Sequence, residues 1–335
     1  MIQTAIVGGG PAGSYCATCL TEYGFYPTIF DHTHPREKPC GGLISPKAQE
    51  SFPFLEQISR IHIEINRVYL VSPQGNRFCL RLERKFLAFS RLTLDKYLVD
   101  QAVKKGAELV EEKVVALKKD GDHWILRTKK KTYLTKILVG ADGVTSLVRK
   151  RIIGSLGRKD VGLCFGYFVN ESNLKDATIF FSPYRRGYIW IIPRGRNTSC
   201  GIWSTEISGS HTMKSELDRY LRINFPKFKK ISKWTALIPN FKDVKSLTQP
   251  TAGTNWILIG DAAGHVNPIT GEGIFYALAD GKLAAQAIAN NSPEQFNKLW
   301  NDKFRINFFS TIKRRKWQYN RYLLELYCQS NRIRI

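Results

Sequence analysis

The segment AIVGGGPAG, residues 5–13, constrains this chain more than any other. It joins an apolar run to a helix through a turn of glycines. Residues 2–7 read as a buried strand, 11–23 as a helix and PTIF, ending at Phe30, as a second strand, which together make a βαβ unit. Gly8, Gly10 and Gly13 fall in the G-x-G-x-x-G pattern, with Ala12 in the same turn. The first glycine permits the tight turn, the second lets the backbone approach a pyrophosphate, and the third lets helix and strand pack closely. The helix N-terminus then offers N–H groups to the negative charge. Asp31 closes the second strand about 20 residues on, where a carboxylate can accept from the ribose of an adenosine.

That fingerprint serves NAD and FAD alike, and the choice comes from later motifs. VGADGVTSLVRK, residues 139–150, places Asp142 after a buried strand. ILIGDAAGHVNPITGEGIFYALADG, residues 257–281, runs from a strand through an acidic, glycine-rich loop into an alanine-rich helix. Asp261 there can bond ribityl hydroxyls. Gly271, Gly273 and Ile274 open a helix whose N–H groups would stabilise an anionic reduced ring. NAD has no ribityl chain to grip, so two such elements far apart in sequence imply FAD held at both ends. In order and spacing these motifs resemble the two-domain FAD-dependent hydroxylases and reductases. That resemblance implies a cofactor contact for Arg91 and a place near the adenine for Val114.

Two further motifs narrow the resemblance. KPCGGLI, residues 38–44, resembles the Cys-Gly-Gly loop of the geranylgeranyl reductase family. GYIWIIPRG, residues 187–195, resembles its Tyr-x-Trp-x-Phe-Pro motif through Tyr188, Trp190 and Pro193, with Ile192 in the phenylalanine position and Arg194 where lysine is common. The resemblance implies reduction of isolated double bonds in isoprenoid chains, with Cys40, Gly41 and Gly42 beside the flavin. Tyr188 and Trp190 alternate on one strand face and would wall a lipophilic pocket. An isolated alkene that receives hydride also needs a proton. A thiol with pKa about 8.5 is protonated at neutral pH and can donate one, which makes Cys40 the candidate donor. His265 is a second candidate, although hydrogen bonding or packing suits it better. NADPH, NADH or another donor would reduce the flavin; no separate nicotinamide motif is visible, so the donor is left open. Two rival readings stand beside this one: a flavin monooxygenase or halogenase, and an electron-carrying flavoprotein that docks to a protein partner.

The fold class expected is α/β, with a discontinuous Rossmann-like FAD domain (residues 1–61, 91–155 and 251–292). An inserted α+β substrate domain rich in antiparallel strands covers 62–90 and 156–250, and a helical segment covers 293–335. The formal net charge of +23 favours an anionic partner. Nucleic acid is not expected, because the basic residues are dispersed and no zinc-finger or RNP-type motif appears. Basic and aromatic residues alternate in 298–335, which suits a closing helix whose apolar face packs on the FAD domain, peripheral contact with anionic lipid, or both together. This segment is shorter than in many members of the family, which leaves substrate size open. No apolar run approaches the roughly 20 residues needed to span a bilayer. The first strand starts at Ile2, so no leader is expected and the protein is placed in the cytoplasm, at most peripheral to a membrane. Seven cysteines, an odd number, are expected as reduced thiols, with Cys16 and Cys19 packing a helix rather than forming a redox pair. No metal site is expected. The sequence does not indicate an oligomeric state.

Overall fold

The computed structural model describes residues 1–58, 62–170, 173–205, 210–318 and 320–330. They form two compact units, each assembled from three separated stretches: 1–36, 94–160 and 239–312 in the first, and 37–93, 161–238 and 313–335 in the second.

The first unit is built on a sheet of eight strands. Its centre is five parallel strands in the order Trp256–Leu258, Thr132–Gly140, Ile2–Val7, Thr28–Phe30 and Glu108–Val110. Parallel strands buried on both faces read as near-continuous apolar runs, and ILVG and TAIV are such runs. Ala5 sits between Leu138 and Thr28 in register. A hairpin, Ala116–Asp120 with His123–Arg127, adds to one side and turns at Gly121, where φ is +55°. The core joins Ala5, Val7, Phe30, Leu138 and Leu258.

Two helices of this unit decide where the motifs meet. Pro11–Glu22 follows the glycine turn and Ile274–Ala289 follows the late loop. They cross closely because Gly281 faces Ala12 and Cys16: a Cβ on Gly281 would lie 2.7 Å from the Ala12 carbonyl oxygen and 2.8 Å from the Cys16 nitrogen. Cys16 is fully buried there and burial pushes its thiol well up, while Cys19 is pushed up to about 12, again by burial first. Both are free thiols that serve packing. The following helical stretch packs on the same helix through Phe304, which meets Phe275 and Tyr276 edge-on, and Phe308, which meets Tyr276 edge-on, while Trp300 packs behind them on Phe304 and Phe308. Residues up to 312 therefore belong to the first unit, and 293–335 is not a separate segment. The closing RIRI lies outside the described residues.

The second unit is also an eight-stranded sheet, in the order Lys230–Pro239, Val161–Val169, Thr198–Ser204, Gly187–Pro193, Ala177–Phe181, His62–Val71, Arg77–Phe89 and Leu43–Ile44. Ala177–Phe181 and His62–Val71 pair in parallel, whereas Leu43–Ile44 pairs antiparallel with the end of Arg77–Phe89. That last pairing draws residues 37–58 into this unit, so the boundary falls after Arg36 rather than after residue 61. The helix Ser210–Asn224 covers one face, burying Met213, Leu217 and Leu221 against Tyr167, Ile189 and Ile202. On the other face Trp190, Ile192 and Trp203 are buried, and a rim of half-buried apolar side chains surrounds them, among them Tyr188, Phe86 and Trp234.

Candidate functional site

In the first unit the glycine turn has little freedom. Gly8 has φ +105°, and a Cβ there would meet the Ala141 carbonyl oxygen at 2.3 Å. A Cβ on Gly13 would meet the Gly8 carbonyl oxygen at 2.0 Å. At Gly10 a Cβ would meet nothing within 4 Å, so the space above the turn is open. Gly10 is also the N-cap of the helix and supplies no side-chain cap. An open, main-chain cradle at a helix N-terminus is what a pyrophosphate requires.

Asp31 braces this turn: one carboxylate oxygen accepts from the Gly9 N–H at 2.8 Å, and the other accepts from the Thr33 N–H at 2.8 Å and from its hydroxyl. Burial pushes this carboxyl up, but the bonds from Thr33 and Gly9 outweigh it and hold Asp31 below the ordinary carboxylate range. The His34 ring lies on the Gly9 carbonyl oxygen, and a Cβ on Gly9 would come within 2.8 Å of that ring. The glycine requirement at position 9 thus has its cause in His34, a contact that no sequence pattern indicated.

The late loop is fixed from below. Asp280, fully buried on the helix Ile274–Ala289, accepts from the Gly260 N–H at 2.8 Å and pairs with His265 Nδ1 at 2.7 Å. Burial raises the Asp280 carboxyl, and His265 only partly opposes this. The His265 ring stacks on Trp300 with centroids 4.0 Å apart. His265 is therefore a buried brace of the loop, in line with the packing role expected for it. Arg149, 3% exposed, donates to the Ala262 carbonyl at 3.2 Å and to Gln249 Oε1 at 2.9 Å, which ties the late loop to the helix Leu147–Ile152. Asp261 is half-buried, with Oδ1 3.4 Å from where a Cβ on Gly273 would stand. Gly271 takes φ +70°, and Gly273 caps the helix that Ile274 begins, without a side-chain cap.

Two residues expected at the cofactor also have duties within the protein. Asp142 accepts from the Ser146 hydroxyl and, at 2.7 and 3.2 Å, from the Leu147 and Val148 N–H groups. Its carboxylate caps the helix Leu147–Ile152, a local duty that the sequence reading missed. Val114 is 6% exposed and packs in the core with Val7 and Phe30.

The second unit brings the Cys-Gly-Gly loop onto the Tyr-x-Trp strand. A Cβ on Gly41 would strike Ile192 Cδ1 at 2.9 Å, and one on Gly42, where φ is +76°, the Phe89 carbonyl oxygen at 2.0 Å. Trp190 Nε1 donates to the Ser199 hydroxyl at 3.1 Å, which in turn donates to the Cys40 carbonyl at 3.0 Å. Trp190 is only 6% exposed and fills the space over Gly201, so it supports the loop from behind. Half-buried Tyr188, two residues earlier, is the member of the pair that faces outward more. Cys40 itself is half-buried, and its sulfur accepts from the Gly42 N–H at 3.2 Å.

Beneath this loop lies a polar knot. Arg194, with no exposed side-chain surface, donates from Nη1 to Glu37 Oε1 at 3.0 Å and from Nε to Asn197 Oδ1 at 3.2 Å, and stacks on Phe168 at 4.3 Å. Glu37 also accepts from the Ser90 hydroxyl and, at 3.1 Å, from the Arg91 N–H. Arg91 is 4% exposed and enters the structure as part of this knot. The signal available in sequence was the odd chemistry of an arginine ending an apolar strand.

Residues 6–54 match the family described as NAD(P)-binding Rossmann-like domain. The geranylgeranyl diphosphate reductase of Rhodobacter capsulatus is 29% identical over 301 residues, 84% of this chain and 73% of that protein. Digeranylgeranylglycerophospholipid reductase 2 of Methanopyrus kandleri is 28% identical over 340 residues, 93% of this chain and 84% of that one. The chain is a homologue of the geranylgeranyl reductases. Among solved structures, a geranylgeranyl bacteriochlorophyll reductase-like protein of Thermoplasma acidophilum superposes with a TM-score of 0.86 at 22% identity, covering 99% of this chain and 91% of that one. A flavin-dependent brominase shares the fold at a TM-score of 0.75 and 19% identity, covering 99% and 92%. The fold these solved structures share comprises, in this chain, a Rossmann-like parallel sheet and a second, largely antiparallel one.

Proposed function

We propose that this protein is an FAD-dependent reductase that saturates carbon–carbon double bonds in an isoprenoid lipid, with NADPH or NADH as electron donor. The observation that carries the reading is the Cys-Gly-Gly loop seated on the Tyr-x-Trp strand, with Gly41 and Gly42 admitting no side chain. The names of the relatives and the half-buried apolar rim of the second unit support the same substrate class.

The first unit's residues fit FAD. The open cradle at Gly10 suits the pyrophosphate, Asp31 the adenosine ribose, Asp261 the ribityl chain, and the helix beginning at Ile274 the ring. FAD, when bound and reduced, supplies hydride. Residues of this chain do the rest. Gly260 and the loop after it are kept in place by Asp280, His265 and Arg149. Cys40 carries a proton on a sulfur whose position is set by the Gly42 N–H and by the Ser199 bond to its carbonyl. Tyr188 and its apolar neighbours hold the prenyl chain and exclude water.

The test is anaerobic. The purified flavoprotein is reduced, mixed with a geranylgeranyl lipid, and both flavin absorbance and product mass are followed. Reoxidation with a gain of ~2 Da per double bond is expected. A gain of ~16 Da in air would assign oxygenation instead, and reoxidation by a protein alone would assign electron transfer. Cys40→Ala should keep its flavin and lose about 100-fold or more in turnover, the contribution typical of a positioned acid. Unchanged turnover takes Cys40 out of the reaction.

A further inference from the structure

The end of the helix Ser210–Asn224, the turn after it and the first half of the edge strand Lys230–Pro239 carry a sequence of one charge sign. Residues 219–233, RYLRINFPKFKKISK, hold six lysines and arginines and no carboxylate. Arg219, Arg222, Lys227, Lys229 and Lys233 are exposed. Among the described residues no carboxylate pairs with any of these five. The acids nearby are already engaged: Asp218 takes Lys230 and Lys214, each at 2.7 Å, and Glu216 takes Arg185 at 2.8 Å. Their pairing leaves the field of the five cations uncancelled.

Two large aliphatic side chains stand within this patch. Ile223 is 65% exposed and Ile231 is 59% exposed, one on each side of the turn. Phe225 and Phe228 stack beneath that turn with centroids 4.7 Å apart and pack on the sheet, so the isoleucines are carried on an anchored element. Lysines alone on an edge strand are a common guard against strand-to-strand aggregation. Bare isoleucines defeat that purpose, and they offer nothing to nucleic acid, whose binding favours stacking aromatics. Cations that ring exposed aliphatics match an anionic lipid surface, where headgroups meet the charges and the hydrocarbon boundary receives the side chains.

We propose that residues 219–233 are a docking surface for an anionic lipid bilayer. The inference stands on charge and exposure and does not need the reductase reading. The patch lies apart in sequence from the C-terminal segment, whose composition also suits a lipid contact. If the reductase reading also holds, the arrangement has a use. The same edge strand carries Trp234, Ala236 and Ile238 onto the apolar face that would take a prenyl chain, so the bilayer would meet the sheet at the strand leading to that face.

The test is vesicle flotation with the full-length, flavin-loaded protein. Vesicles are phosphatidylcholine with or without roughly one-third phosphatidylglycerol, an anionic lipid whose attraction for lysine and arginine drives such docking. Binding to the anionic vesicles alone is expected, weakening as salt is raised. Lys227→Glu/Lys229→Glu/Lys233→Glu should lower the partition coefficient by roughly tenfold or more, because several attractive charges become repulsive. Ile223→Ser/Ile231→Ser should lower it severalfold. Both variants should keep bound flavin and full turnover on detergent-dispersed substrate, which separates failure of docking from failure of catalysis. The proposal is overturned if the native protein does not float, or if the patch variants float unchanged. It is also overturned if Lys313→Glu/Arg314→Glu alone abolishes binding, or if the patch retains a polyanionic RNA but not the vesicles.

Discussion

The two glycine loops of this protein are held by different means. In the first unit backbone carbonyl oxygens stand where side chains would be at Gly8 and Gly13, the Asp31 carboxylate and the His34 ring brace Gly9, and the helices behind the turn meet at Ala12, Cys16 and Gly281. In the second unit Cys40–Gly42 rests on side chains: an indole, a serine hydroxyl and a buried ion pair. The difference follows from the tasks. A pyrophosphate is recognised by main-chain N–H groups, so the chain must come close and stay bare. A loop that presents one thiol needs no such approach, and its precision is borrowed from a packed scaffold.

The comparison is broken most severely at Arg194. Replacing it with methionine leaves Glu37, 24% exposed, without its cation, and removing one partner of a buried pair costs about 3–5 kcal/mol. Urea unfolding should show that loss. Arg194→Met/Glu37→Gln should recover most of it, because glutamine removes the stranded charge, its carbonyl oxygen still accepts from the Arg91 N–H, and the Ser90 hydroxyl can turn to accept from its NH2. A loss below about 1 kcal/mol in the single variant would mean that the loop is not held by its side-chain scaffold, and the contrast between the loops would collapse.

This contrast also explains what could be read in advance. Gly8, Gly10, Gly13 and Asp31 obey a spacing imposed by the turn itself, so their pattern was legible, as were the strands that alternate around Tyr188. Glu37, Ser90, Arg194 and Ser199 come from three separate stretches of chain and meet only once the sheet has formed. No local period encodes such a meeting. The same holds for Asp280: an acid inside an apolar helix was a visible oddity, yet its partners Gly260 and His265 lie in another element. For Trp190, alternation assigns a face and says nothing about depth. Gly201, one strand away, leaves the space into which its ring sinks.

A second prediction sharpens the backbone side of the comparison. Gly281→Ala adds one methyl group 2.7 Å from the Ala12 carbonyl oxygen and 2.8 Å from the Cys16 nitrogen. Neither is the mobile end of a side chain, so the two helices must separate. Overpacking of this kind costs about 1–3 kcal/mol. The strain falls on the contact that joins the early and late cofactor motifs, so flavin retention should weaken along with stability. Release of flavin fluorescence at a lower urea concentration than global unfolding would locate the damage at that contact. Coincident transitions, each shifted by the same amount, would show that Gly281 serves stability alone.

The smallest effect, and the most specific, concerns Asp31. Its carboxylate accepts from Gly9 and Thr33, and those bonds hold its pKa below the ordinary range despite burial. An acid whose folded pKa is depressed contributes stability at pH above its unfolded value, and that contribution is lost as pH falls through the folded value. Its brace on the glycine turn is therefore complete at neutral pH. It should persist down to an ordinary aspartate pKa of about 3.9 and fail only below it. Flavin release by the native protein should accordingly begin at a pH lower than that. Asp31→Asn keeps one acceptor oxygen but loses the charge and one bond, a change worth ~1 kcal/mol, or about fivefold in flavin affinity. In that variant the acid-induced release should no longer follow the aspartate titration. If its pH profile overlays that of the native protein, Asp31 does not hold the turn, and the backbone of the loop holds itself.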